Sequence, residues 1–308
     1  MSSLKLGLIG AGKIVRDQHL PAIRQTPAFR LAATADPYAS LDDVPAFTEM
    51  HAMLDAHPDI EAVSICTPTA LRFETARAAL SRGRHVLLEK PPGATLSEVE
   101  ALIELASQQQ VTLFAAWHSR YAPGVAQAKA WLANRRIDQV HIEWKEDVRV
   151  WHPGQAWIWQ PGGMGVFDPG INALSIATAI LPAPFFLQKA KLWMPENVQA
   201  PIAAKLSFVD AQGAAIAADF DFRQTGAQTW DIHVESDDHS LSLTQGGCKL
   251  AIDGEVILDE EEQEYRGLYD HFAELIGAGR SAVDIAPLRH VADAFLYGYR
   301  ETTEAFIE

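Results

Sequence analysis

Over the first 117 residues, short apolar runs alternate with amphipathic stretches. Residues 4–9, 30–35, 62–66, 85–88 and 111–115 are almost continuously apolar, as strands buried on both faces are. Between them, residues 48–56, 71–81 and 96–109 carry helical spacing, and a further helical stretch follows Gly12 to about residue 24. Thr95 followed three residues later by Glu98 forms a capping box at the start of the last of these. Alternating strands and helices of this kind predict βαβ units and a doubly wound parallel sheet with helices on both faces.

The pattern changes beyond residue 117. Residues 140–145, 189–193, 203–208, 214–222, 230–235 and 240–243 read as successive strands with almost no helix between them. Several alternate: Ala218, Phe220 and Phe222 fall on one face, Asp219 and Asp221 on the other. Half-polar strands in succession predict a mainly antiparallel open sheet. Two helices are expected at the end, over 266–278 and 288–306, the second introduced by Pro287. The fold class is therefore α/β: a Rossmann domain over 1–117, then an α+β substrate-binding and oligomerisation domain over 118–308. The acidic run from Asp259 to Glu262 reads as a solvated loop or a helix start.

Composition narrows the function classes. A chain of 308 residues fits about two domains, and 48% hydrophobic with 21% charged residues is the balance of a folded protein. The net charge of −15 opposes nucleic acid or an anionic membrane surface as a partner. Cys66 and Cys248 are too few for a disulfide framework, and Cys66, in a strand-like run, reads as a small core residue. No apolar stretch is long enough for a bilayer, and strand-like sequence begins by Leu4, so a cytoplasmic protein is expected.

Candidate chemistry gathers at the strand ends. Gly10-Ala11-Gly12-Lys13-Ile14-Val15 follows a strand and opens a helix. The first glycine permits a tight turn and the second lets backbone approach a pyrophosphate, so Gly10, Gly12, Lys13 and Ile14 are expected to touch a dinucleotide. Val15 stands where a third glycine would, which spaces helix and strand further apart. Asp36 ends the second strand, where a carboxylate can accept the adenosine ribose hydroxyls and repel a 2′-phosphate. NAD is expected over NADP, with NADP still possible. The alternative is that Asp36 only starts a turn with Pro37. The run from His85 to Pro92 ends a buried strand on Glu89-Lys90-Pro91-Pro92, placing a cation at the sheet edge where ligands bind.

These features, with Thr67-Pro68 after the third strand and an antiparallel domain after the fifth, resemble the Gfo/Idh/MocA oxidoreductases along the whole chain. The resemblance is greatest to the branch of bacterial aldose 1-dehydrogenases acting on L-arabinose and D-galactose. Asp17 to Ile23, Glu89 to Leu96, Trp117 to Arg120, Trp144 to Val148, Trp151 to Gln155 and Gly165 to Ser175 carry it. It implies oxidation of an anomeric hydroxyl to a lactone with NAD(P), the nicotinamide lying near Lys90, and Thr67, Pro68, Glu89 and His118 contributing to the cofactor site. Three positions depart from the general family pattern: Thr69 replaces asparagine, Arg72 replaces histidine, and Asn172 replaces a histidine four residues after Asp168.

Oxidising a hemiacetal requires a base, a group that stabilises charge on O1, and polar contacts to the ring. Asp168 and Asn172 share one helix face. Asn172 can orient a hydroxyl but cannot be the base. The base is Asp168 or Lys90; an ionised aspartate needs no tuning, so Asp168 is expected to take the proton and Lys90 to stabilise O1. Asp168 could instead be a plain N-cap before Pro169, although the glycines preceding it also suit close approach of a ligand. His118, Glu146, Trp151, His152 and Trp230 are the candidates for the sugar. The tryptophans could equally be core, and Glu146 merely solvated. No metal spacing is present. A polyol or inositol dehydrogenase and a non-catalytic NAD- or sugar-binding regulator remain alternatives, and a homodimer or higher homo-oligomer is expected.

Overall fold

The computed structural model describes residues 3–308, which divide into two compact units. The first unit holds β1 (Leu4–Ile9), β2 (Phe29–Ala35), β3 (Ala46–Phe47), β4 (Ala62–Ile65), β5 (His85–Glu89) and β6 (Leu113–Ala116). They form one wholly parallel sheet in the order β3-β2-β1-β4-β5-β6. The order reverses between β1 and β4, so the turns after these two strands face each other at the switch point where doubly wound sheets bind ligands.

Helices α1 (Leu20–Gln25), α2 (Met50–Ala56), α3 (Thr69–Ser81) and α4 (Leu96–Gln109) connect the strands. Thr95 caps α4 in the expected box, its side chain accepting from the Glu98 amide. Ile9, Val63, Ile65, Val86 and Leu88 of the strands pack with Met53, Leu80 and Leu102 of the helices in a fully buried layer.

A segment from far along the chain completes this unit. Residues 265–285 return to it, most of them in the helix Glu264–Gly277. Tyr265, Leu268, Tyr269, Phe272 and Leu275 are buried at helical spacing, and Phe272 stacks on Phe29 and Phe114 with ring centroids 5.5 and 5.9 Å apart. The expected division at residue 117 therefore omits the returning helix. An amphipathic stripe announces that a helix is covered, but not which sheet covers it.

The second unit, 119–264 with 286–308, is built on nine strands. They are β7 (Ile137–Lys145), β8 (Phe185–Pro195), β9 (Ala203–Asp210), β10 (Ala215–Asp221), β11 (Thr229–Ser236), β12 (His239–Thr244), β13 (Lys249–Ile252), β14 (Glu255–Asp259) and β15 (Tyr299–Thr303). The order is β14-β13-β12-β11-β7-β10-β9-β8-β15, antiparallel except for the β7/β10 and β8/β15 pairs. Helices α5 (Val125–Leu132), α6 (Val148–Trp151) and α7 (Phe167–Ile180) precede β8, and a last helix spans Ala286–Tyr297. Alternation sorts the faces: Val140, Ile142, Ala218, Phe220 and Phe222 are buried, whereas His141, Glu143, Lys145, Asp219 and Asp221 are not.

The expected helix over 288–306 stops at Tyr297. A Cβ at Gly298 would lie 2.4 Å from the Ala294 carbonyl oxygen, and beyond this close approach Tyr299–Thr303 leaves the helix to pair with β8. Asp259 ends β14, and the rest of the acidic run is loop before the returning helix.

Candidate active site

Gly10 adopts φ +93°, and a Cβ there would stand 3.1 Å from the Cys66 carbonyl carbon and oxygen. Only glycine allows β1 to turn this tightly against the end of β4. Gly12 has open space around its Cβ position among the described residues, leaving its backbone accessible to a ligand. The chain then winds as a π-helical turn over Val15–His19 before α1, a wider turn than α, with Val15 fully buried. Lys13 pairs with Asp17, and Ile14 is partly exposed beside the turn.

Asp36 faces the same turn. Its Oδ2 accepts from the Ala11 amide at 2.7 Å, and its Oδ1 from the Tyr38 and Ala39 amides at 2.7 and 2.9 Å. Asp36 thus does brace a turn, as the alternative reading has it. Three donors leave acceptor capacity on an ionised carboxylate. Arg16 reaches the Ser40 carbonyl at 2.8 Å, so a cation lies along this edge although none follows in Pro37-Tyr38. Across the turn, Thr67 Oγ1 is buried and has no hydrogen-bond partner among the described residues. An open glycine backbone, a carboxylate with spare acceptor sites and an orphaned hydroxyl fit a dinucleotide.

Lys90 follows β5, and the peptide bond to Pro91 is cis. Glu89 is buried, and its carboxylate is held from three sides. Oε1 accepts from Tyr265 Oη at 2.7 Å and faces His19 Nε2 at 3.0 Å, while Oε2 accepts from the Lys90 amide at 2.9 Å. Burial pushes this carboxyl up, but hydrogen bonding and charge from His19, then His118 and Arg72, outweigh it and hold it far below the usual carboxylate range. Burial likewise lowers His19, yet Cys66, Tyr269 and Glu89 raise it well above an ordinary histidine. Cys66 is not the core residue expected. It lies just past β4, partly exposed, with Sγ 3.5 Å from His19 Nε2.

Arg72 has a structural task. Its Nε donates to the Thr67 carbonyl at 2.8 Å and its Nη1 to the carbonyls of Glu89, at 3.0 Å, and Pro91. One planar guanidinium thereby fixes both loops of the sheet edge. His118 ends the first segment of this unit, with its ring stacked 5.2 Å from Tyr265 of the returning segment. Arg72, His19, Tyr265 and Tyr269 carry no recognisable sequence signal as a group, because they meet only through the fold.

The second unit gathers another set. Asp168 is the second residue of α7, and Val166 is the N-cap, so Asp168 is not the cap its neighbour Pro169 suggested. Its buried carboxylate lies in the first turn of a 14-residue helix, where the helix dipole favours negative charge. Two of the glycines before it are packed against backbone. A Cβ at Gly165 would lie 2.3 Å from the Pro201 carbonyl oxygen, and one at Gly163 2.3 Å from that of Trp157. Gly170 seats α7 directly on Phe220, whose ring carbon would be 2.8 Å from a Cβ. Close backbone packing sets the position of Asp168.

His152, just past α6, brings its Nε2 to 3.6 Å from Asp168 Oδ2 and 3.7 Å from Glu146 Oε1. Glu146 is buried at the end of β7, not solvated, and its Oε2 accepts from Trp230 Nε1 at 2.9 Å. Trp230 lies between Trp144, stacked at 5.9 Å, and Trp151, tilted at 5.0 Å; Trp151 is the exposed member. The fold thus brings Glu146, Trp151, His152, Asp168 and Trp230 together. Asn172 is one turn along α7 from Asp168, its carbonyl accepting from Ser175 Oγ at 2.7 Å. Two buried carboxylates around one imidazole nitrogen, beside an exposed indole, can bind several hydroxyls and take a proton from one of them.

Residues 4–117 match the family described as "Oxidoreductase family, NAD-binding Rossmann fold", Gfo/Idh/MocA. Over 308 residues, all of both chains, the protein is 45% identical to galactose 1-dehydrogenase of Pseudomonas fluorescens. It is also similar to the crystal structure of a D-galactose 1-dehydrogenase from Rhizobium etli: 57% identity, TM-score 0.96, covering 100% of this chain and 99% of that one. KijD10, a 3-ketoreductase from Actinomadura kijaniata solved with NADP and TDP-benzene, shares the fold at 18% identity and TM-score 0.86, covering 98% of this chain and 99% of that one.

Proposed function

Because the chain belongs to the Gfo/Idh/MocA oxidoreductase family, we propose that it is an aldose 1-dehydrogenase, oxidising the anomeric hydroxyl of D-galactose, L-arabinose or both to the aldonolactone. The observation that carries this reading is the convergence of Glu146, His152 and Asp168 beside Trp151 and Trp230. A pyranose presents hydroxyls around its edge and apolar faces, and carboxylates, imidazole and indole together suit both. The galactose 1-dehydrogenase names of two full-length relatives support the same substrate class.

Bound dinucleotide supplies the hydride acceptor. Gly10, Gly12, Lys13, Ile14, Asp36, Thr67, Pro68, Glu89, Lys90 and His118 would hold it. Asp36 favours NAD by opposing a 2′-phosphate, and Arg16 on the same edge leaves NADP use open. Asp168 accepts the O1 proton, and His152 beside it steadies the carboxylate and contacts the substrate. Lys90 stabilises the charge developing on O1, and Asn172 orients a hydroxyl. Glu146, His118, Trp151 and Trp230 bind the rest of the ring. The protein works as a homodimer or higher homo-oligomer, a reading supported by exposed Phe186, Leu296, Tyr297 and Tyr299.

The test is absorbance at the NADH band with a panel of aldoses and polyols, run with NAD and with NADP. Reduction with D-galactose or L-arabinose is expected. Reduction with inositol and no aldose overturns the substrate assignment, and tight NAD binding without turnover of any sugar overturns the enzyme.

A further inference from the structure

Glu89 and His19 form a buried pair that the chemistry at C1 does not itself use. His19 is fully buried and Glu89 nearly so. Tyr265 Oη and the Lys90 amide donate one to each oxygen of the Glu89 carboxylate, and His19 Nε2 faces Oε1 at 3.0 Å. Two donated hydrogen bonds favour the ionised carboxylate, and the carboxyl is held low while the imidazole beside it is held high. The anion then requires a cation, and the imidazole 3.0 Å away is built to be one: its Nδ1 meets Tyr269 Oη at 2.7 Å, and that hydroxyl meets Ser64 Oγ at 2.9 Å. Tyr265 and Tyr269 pack edge-on against the imidazole, with centroids 4.9 and 5.8 Å away, and hold its plane.

Stability alone does not account for such a pair. Buried ion pairs are commonly replaced by well-packed apolar residues at no loss. This one touches the backbone of Lys90, and its histidine comes from the π-helical turn that follows the glycine turn. Two elements of the ligand edge are thus tied by one contact.

We propose that His19 is a positioning residue for the oxidation: locked against Glu89, it fixes the carboxylate that holds the Lys90 amide, and so sets where the Lys90 ammonium stands. Arg72 completes the clamp by holding the carbonyls of Glu89 and Pro91 on either side of Lys90. The proposal rests on the assignment of Lys90 to O1 in aldose oxidation.

The experiment is a double-mutant cycle with D-galactose and NAD on the full chain, using His19→Leu, His19→Gln, Lys90→Ala and the combined variants. His19→Leu should lower kcat by about ten- to a hundredfold, the scale of a misplaced catalytic group. Its sugar KM and NADH affinity should stay within about threefold of wild type. His19→Gln, which keeps an N–H toward Glu89, should recover most of the loss. In the Lys90→Ala background, His19→Leu should cost nothing further, because its effect runs through the lysine. Independent, multiplicative losses overturn the proposal. A second arm needs no substrate: exchange of the Lys90 amide with deuterium should quicken at least about tenfold in His19→Leu relative to wild type. If His19→Leu does not fold, the same comparison with His19→Gln should show protection close to wild type. Unchanged exchange in a folded His19→Leu, or loss of protection in His19→Gln, overturns the clamp. A wild-type protein that oxidises no aldose would sink the function while leaving this arm to judge the positioning.

Discussion

His152 Nε2 stands 3.6 Å from the Asp168 carboxylate, so an imidazole from a different element meets the helix that carries Asp168 and Asn172. The imidazole arrives from the segment after β7, just past α6. Asp168→Ala should reduce kcat by more than about a hundredfold, as removal of a general base does, with dinucleotide affinity unchanged. His152→Ala should cost less in kcat and more in sugar KM, because it leaves two buried carboxylates without the group between them. Steady-state kinetics with D-galactose separate the two. Equal losses in both parameters for both variants would contradict the division of roles.

Asp36 braces the glycine turn, and the proposed function gives it the adenosine ribose as well. Its carboxylate accepts from the amides of Ala11, Tyr38 and Ala39, so Asp36→Ala removes a brace of the glycine turn as well as the proposed ribose acceptor. The ratio of kcat/KM for NAD over NADP should fall at least about tenfold, and melting temperature should fall with it. Arg16→Ala should lower NADP use selectively. A wild-type preference for NADP above about tenfold would sink the assignment of Asp36.

The Glu89–His19 pair predicts a bounded pH window of stability. The imidazole's pKa is raised on folding, so its contribution is complete below the ordinary value of 6.5 and fades as pH rises through the folded value. The carboxyl's is lowered, so its contribution is complete above the ordinary value of 4.5 and fades as pH falls through the folded value. The groups facing the pair are Cys66, Tyr265, Tyr269, Arg72 and His118. The difference in melting temperature between wild type and His19→Gln should therefore be largest between pH 4.5 and 6.5 and shrink on both sides. A difference that keeps growing into alkaline pH would show that the histidine is not the cation.

Arg72 makes a prediction about the sheet edge. Arg72→Met leaves the carbonyls of Thr67, Glu89 and Pro91 without this donor. The Glu89 and Pro91 contacts are buried, and an abandoned buried acceptor costs about 1–3 kcal/mol, so thermal denaturation should show a marked loss and NADH binding should weaken. Arg72→Lys should recover only part, since an ammonium cannot span the three carbonyls as a planar fork does.

Strand and helix positions in the first 117 residues are legible because a buried parallel strand is apolar on both faces and its helices are capped locally. Three features were not. Asp253 and Gly254, at φ +51° and +81°, make the tight turn between β13 and β14; Asp-Gly is a strong hairpin signal, but the flanking residues are too exposed to show alternation. β15 was concealed in a helical pattern because its pairing with β8 is parallel and long-range. The Glu89 clamp draws on residues 19, 64, 72, 89, 265 and 269, and no local window contains them together. The sugar candidates Glu146, Trp151, His152 and Trp230 were legible as residues, yet their mutual arrangement depends on the register that sets Trp230 opposite Trp144.

That register makes the last prediction. Trp230 comes from β11 and Glu146 from the end of β7, and the indole donates to the buried carboxylate at 2.9 Å. Trp230→Phe keeps an aromatic ring beside Trp144 and Trp151 but removes the donor. A hydrogen bond to a charged group contributes about 1.5–3 kcal/mol, and a tenfold change in binding corresponds to about 1.4 kcal/mol. If Glu146 binds sugar hydroxyls through an orientation fixed by Trp230, the variant should raise sugar KM about ten- to a hundredfold while leaving NADH affinity in place. Glu146→Gln should raise KM similarly, and the double variant should add little, because both act through one contact. Unchanged KM in Trp230→Phe would leave the indole as packing alone and remove Glu146 from the sugar site.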